Sequence, residues 1–156
     1  MTEEVVSVTA THDASQVPLV VDLDGTLTHA DTLHDALVNS LKLHPFLLLK
    51  LPVWLSKGKA TFKAELANHS RADVTLLPYN EDVLSYIQTA KEQGRPIILA
   101  TASDERVAQA VADHLGVFDD VLATSPDTNL SGHAKRDAIV ARFGEKNFDY
   151  IGDKAI

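Results

Sequence analysis

Two aspartates, Asp22 and Asp24, end an apolar run and are followed by a glycine in VVDLDGTLT. On an extended chain, residues i and i+2 project the same way, so the two carboxylates share one side of a strand end. Held that close they repel, and a divalent cation relieves the repulsion. Gly25 lets the backbone turn sharply and offer amide groups to a phosphate. The spacing therefore points to cation-assisted phosphate chemistry, against the plainer reading of a strand-end turn with two acids. Other polar groups end later apolar runs: Thr101 in ILATAS and Asp153 in YIGD. Lys135, in SGHAKRDAIV, stands near the start of a helical stretch.

The elements that must position these groups follow from hydrophobic periodicity. Residues 17–24 (VPLVVDLD) and 96–102 (PIILATA) are short, β-branched apolar runs that predict buried strands. Strands are also predicted at 117–123 and 148–151. Between them, helices are predicted at 81–93, capped by Asn80 and stopped by Gly94, at 104–115, closed by Gly116, and at 133–143, ended by Gly144. Asp31 or Thr32 is the expected cap of an earlier helix whose apolar face is Leu33, Ala36, Leu37 and Leu41. Residues 59–69 predict another helix. Strands alternating with helices imply an α/β, doubly wound parallel sheet, in which ligands bind beyond the carboxyl ends of the strands. Asp22, Asp24, Thr101 and Asp153 would all meet at that edge.

The chain has 156 residues and a net charge of −8, with no cysteine. Disulfides and thiolate metal sites are excluded, and the acidic balance argues against a nucleic-acid partner. Residues 1–16 read as a polar, mobile tail without the features of a secretory signal. No run reaches the length of a membrane span. Residues 41–55 (LKLHPFLLLKLPVWL) come nearest, but two lysines and two prolines interrupt them.

The stretch DLDGTLT resembles the first motif of the haloacid dehalogenase superfamily, DxDGT followed by Leu or Val. A chance match to its fixed residues would arise about once in a thousand chains of this length. The resemblance implies a Rossmann-like core and an Mg²⁺-dependent phosphate monoester hydrolase. Asp22 would be the nucleophile, forming an aspartyl-phosphate. Asp24 would act as acid and then base, its backbone carbonyl touching the metal. Thr101 matches the second motif, a hydroxyl that holds a phosphoryl oxygen; Ser103 competes for that role but looks better as a helix cap. Lys135 matches the third motif, a cation neutralising phosphate and nucleophile, and Arg136 is its neighbour one helical position away. Asp22, Asp24 and Asp153 would hold the metal. The family's fourth motif continues with a second acid, GDxxxD or GDxxxxD, which the sequence does not reach before Ile156. That departure suggests a core incomplete at its C-terminus, with weakened metal binding and an exposed strand edge open to dimerisation.

Residues 29–90 occupy the place of a helical cap inserted into a core of residues 17–28 and 91–156. The apolar segment 46–54 is expected as cap core, with contact to a lipid tail or membrane surface as the alternative. Several stretches, among them DLDGTLTHADTL and ARFGEKNFDYIGD, further resemble the domain preceding UbiA-type membrane prenyltransferases. That likeness implies a small-molecule phosphate ester, polyprenyl-linked or otherwise phosphorylated, and fusion to or association with such a prenyltransferase. It also implies a cytoplasmic setting at the membrane surface. The rival readings are a non-catalytic phosphate- or metal-binding regulatory module and a different chemistry on the same scaffold. The histidines show no close metal spacing; His29 and His34 are expected at the entrance or on a helix surface.

Overall fold

The computed structural model describes residues 4–6, 17–69 and 74–152. Its strands are β1 (Glu4–Val6), β2 (Leu19–Val21), β3 (Ile97–Asp104), β4 (Asp120–Thr124) and β5 (Asp149–Gly152), and they form one sheet in the order β1-β5-β2-β3-β4. The last four are mutually parallel, with Val21 opposite Leu99 on one side and Ile151 on the other. The helices are α1 (Thr32–Leu43), α2 (Leu51–Ser56), α3 (Lys59–His69), α4 (Glu81–Glu92), α5 (Glu105–Leu115) and α6 (His133–Phe143).

Strand alternation sorts the core into two layers. Leu19, Val21, Ile97, Leu99 and Ile151 pack on one face with Val83 and Ile87 of α4 and Ala108 and Val111 of α5. Val20, Ile98, Ala100 and Tyr150 pack on the other face with Ile139 of α6. Apolar side chains at both alternations explain why β2 and β3 read as continuous hydrophobic runs. The sheet is the doubly wound α/β arrangement the sequence predicts.

Three features differ from expectation. Residues 4–6, assigned to a mobile tail, form a strand that pairs antiparallel with β5, Glu4 opposite Gly152. The β5 edge expected to lie open is thereby covered. The three residues are too few for any periodicity to have marked them. Second, α4 falls within the expected cap range but packs in the sheet's own core, whereas α1–α3 share a separate cluster around Leu47, Trp54 and Leu66. The insertion leaves and returns at one place: His29 N–H donates to the Pro78 carbonyl, and Asn80 N–H to that of Leu27. Third, segment 45–56 is split. Leu47 and Trp54 are core, while Phe46, Leu48, Leu49, Val53 and Leu55 are exposed.

A buried ion pair ties the sheet to the loops at the amino ends of its strands. Arg95 donates from Nη2 to Asp149 Oδ2 at 2.5 Å and from Nε to the Val17 carbonyl at 2.8 Å. Each of the two charged residues is only 8% exposed. Removing one partner strands the other charge out of water. Asp149→Ala is expected to cost about 3 kcal/mol in urea unfolding, and Asp149→Ala/Arg95→Met to recover part of it.

Candidate active site

The site begins where β2 ends. The Asp22 N–H donates to the Ile151 carbonyl at 2.9 Å, extending the β2–β5 ladder by one step. The chain then reverses: Thr26 and Thr28 N–H groups both donate to the Leu23 carbonyl, and Leu27 N–H to that of Asp22. Gly25 has φ +73° there, a conformation glycine adopts without penalty. This tight loop keeps Asp22 and Asp24 together at the carboxyl edge of the sheet.

Asp22 is 8% exposed, and its Oδ1 accepts from Leu23 N–H at 2.9 Å and from Lys135 Nζ at 3.1 Å. Lys135 is itself 7% exposed. It lies four residues before Ile139, so it shares the helix face that packs on the sheet, and its Nζ sits 5.7 Å from the Tyr150 ring centroid. Arg136, about 100° further round the helix, is exposed and reaches Glu145 at 3.7 Å instead. Between the two cations of the sequence, geometry brings Lys135 to the acids and leaves Arg136 outside.

Asp24 is held differently. Its Oδ1 accepts from Thr32 N–H at 2.8 Å and its Oδ2 from Ser103 Oγ at 2.8 Å. Ser103 also bonds the Thr32 hydroxyl at 2.5 Å. Ser103 is therefore not the cap of α5. Asp104 caps it, accepting from Arg106 N–H at 2.9 Å, because β3 runs two residues longer than its apolar pattern. Thr32, in turn, leaves the capping of α1 to Asp31, which accepts from Leu33 and His34 N–H. Thr101 is fully buried two residues beyond Leu99, and its Oγ1 accepts from Ser103 N–H at 3.1 Å. Asp153 lies outside the described residues. His29 and His34 are both exposed.

The inserted helices add a cation that sequence reasoning missed. Lys63 of α3 donates to the Ala102 carbonyl at 2.8 Å and to Asn129 Oδ1 at 2.7 Å. It borders a crevice with Thr32, Ala36, Leu66, Ser103 and Val107, beside the groups that hold Asp24. Arg106 of α5 makes the second tie, donating to the Ala64 carbonyl and to Asn68 Oδ1. A lysine within a run of helical lysines carries no distinguishing signal, since only tertiary packing brings Lys63 inward.

The donors near the sheet edge suit a hard cation, because they are carboxylates and there is no sulfur or imidazole among them. Asp22 and Asp24 would hold it. Both Asp24 carboxylate oxygens already accept hydrogen bonds. Among the described residues no group of three metal-ligating side chains occurs. The third acid of the expected set is Asp153.

Desolvation lowers the Lys63 pKa below its ordinary 10.5, with nearby Lys59 adding to the fall and Asp24 opposing it. Between the lowered value and 10.5 the unfolded chain keeps a proton that the folded chain has released, so this group favours folding increasingly as pH rises. Any stability advantage of Lys63→Met over wild type is therefore expected to shrink as pH climbs through that interval, read by urea unfolding of both proteins.

Comparison with known proteins agrees with this architecture. Residues 19–150 match the family model of haloacid dehalogenase-like hydrolases. The uncharacterized protein y4nM of Sinorhizobium fredii is 37% identical over 141 residues, covering 90% of this chain and 27% of that protein. The chain thus spans about a quarter of that relative's length. Among solved structures, a hydrolase of the same family, t0658 from Salmonella enterica serovar Typhi, superposes with a TM-score of 0.54 at 13% identity, covering 84% of this chain and 52% of the other. A substrate-bound phosphoserine phosphatase gives 0.54 at 12% identity, over 85% and 73% of the two chains. At these identities the structural likeness establishes the fold alone. With the family model spanning most of its length, the chain belongs to the haloacid dehalogenase-like hydrolases.

Proposed function

We propose that the chain is a phosphate monoester hydrolase that works through an aspartyl-phosphate on Asp22. The observation that carries this reading is the buried contact of 3.1 Å between Lys135 Nζ and Asp22 Oδ1, beside a second carboxylate two residues away. A carboxylate that must approach an anionic phosphate needs a cation at hand, and Lys135 supplies one without solvent screening it.

In the first step an Asp22 oxygen bonds to phosphorus while the ester P–O bond breaks, and Asp24 gives its proton to the departing alkoxide. In the second step water attacks phosphorus, Asp24 takes the proton, and the Asp22 carboxylate leaves with inorganic phosphate released. Ser103 and Thr32 aim Asp24 at that oxygen. Thr101 holds a phosphoryl oxygen from within β3, and Lys135 steadies charge on the phosphoryl group. Mg²⁺, held by Asp22, Asp24 and Asp153, would supply further charge neutralisation.

The likeness to domains preceding UbiA-type prenyltransferases supports a polyprenyl-linked or other phosphorylated intermediate as substrate, handled in the cytoplasm near the membrane. The greater length of the curated relative supports fusion to, or association with, a further unit.

Asp22→Asn is expected to lower turnover of an aryl phosphate by at least about a thousandfold with an unchanged circular dichroism spectrum. Chelation of divalent ions is expected to stop turnover and added Mg²⁺ to restore it. Asp24→Asn is expected to hurt alkyl phosphates more than aryl ones, whose leaving groups need less protonation. Full activity in Asp22→Asn would remove the nucleophile assignment. Phosphate binding without turnover in wild type would favour a regulatory binding module.

A further inference from the structure

The inserted helices carry a surface that the proposed chemistry does not use. Within thirteen residues, Leu43, Phe46, Leu48, Leu49, Val53 and Leu55 are 45–82% exposed. Single exposed apolar residues are ordinary, but such a concentration marks an interaction site. Leu47 and Trp54 point the other way into the cluster of α1–α3, so the segment already spends one side on folding and offers the other.

The charge around this face is the opposite of the protein's. Residues 36–64 contain five lysines and no aspartate or glutamate, in a chain whose net charge is −8. Lys63 turns inward, but Lys42, Lys50, Lys57 and Lys59 are all exposed. Lys50 Nζ lies 5.6 Å from the centroid of the Phe46 ring, placing a cation directly beside an exposed aromatic. In residues 45–55 only Lys50 and the buried Trp54 carry a side-chain polar group. Protein–protein interfaces use about one hydrogen bond per 100–200 Å², and this face has almost nothing to make them with. It fits a partner that is apolar, fluid and rimmed by negative charge.

We infer that this face docks on the surface of a membrane containing anionic lipids. Phe46, Leu48, Leu49, Val53 and Leu55 enter the boundary between headgroups and acyl chains, and the lysines meet the lipid phosphates. No helix among the described residues is long and apolar enough to cross a membrane, so the contact is peripheral. Each lysine near an anionic surface strengthens partition about fivefold, and salt weakens the attraction.

The inference stands apart from the hydrolase reading, and its test uses no turnover. The 156-residue chain is mixed with vesicles of phosphatidylcholine alone or of phosphatidylcholine and phosphatidylglycerol, and the bound fraction is measured by sedimentation. Binding is expected to the mixed vesicles, and to fall as salt is raised. The Leu48→Ser/Leu49→Ser and Lys50→Glu/Lys57→Glu variants are each expected to bind at least about tenfold more weakly. The lysine pair is wholly on the surface, so a folding defect in the leucine pair would leave the test intact. Aryl phosphate turnover, if present, should be the same in the lysine variant as in wild type. Failure to bind mixed vesicles, equal binding by wild type and the lysine variant, or a solution dimer that the leucine variant dissolves without any vesicle binding would overturn the inference.

Discussion

A carboxylate and an ammonium, both nearly out of water, meet at the end of β2, and the rest of the site is arranged around that meeting. Neither Asp22 nor Lys135 is cheap to bury alone; together, with Leu23 N–H as a further donor, each offsets the desolvation of the other. The pair constrains the fold at long range, because its members are 113 residues apart in sequence. It requires β2 to sit between β3 and β5, and α6 to lie on the face where Val20 and Tyr150 point. A slip of one residue in β2 would send Asp22 to the other face and put Val21 where Val20 belongs. Apolar packing on both faces therefore sets the register that brings the charges together.

Much of this was legible in the sequence. The strands announced themselves as apolar runs, and the acids at 22 and 24 followed from the two-residue period of an extended chain. Lys135 is preferred to Arg136 by its likeness to the third motif, and the structure adds the reason that Lys135 shares the face of α6 on which Ile139 packs against the sheet. What escaped was set by tertiary context. Ser103 looked like a cap because β3 was expected to stop at 102; the strand instead continues to Asp104, past an irregularity in its pairing with β4. Lys63 is one lysine among several and turns inward only because α3 packs against the β3 end. The short β1 spans only three residues, so no local pattern could reveal it.

The inserted helices do two opposite things with one amphipathic economy. Their inner sides form a small core of their own and bring Lys63 and Thr32 beside Asp24, while Arg106 reaches across from α5 to hold α3 in place. Their outer side shows aliphatic groups and lysines. Inserted helices fixed to the core by two cationic ties are a different object from a loose lid, since Asp24 accepts a hydrogen bond from the backbone of Thr32. Separating the helices from the sheet would undo one of that acid's hydrogen bonds.

The pairing of Glu4 with Gly152 also bears on how the molecule is made. These partners lie at the two ends of the described residues, so their pairing closes a loop that contains every other strand. Closing so long a loop costs conformational entropy that three residues of ladder must offset. Where that pairing opens, the β5 edge is bare among the described residues and can accept a strand from another molecule.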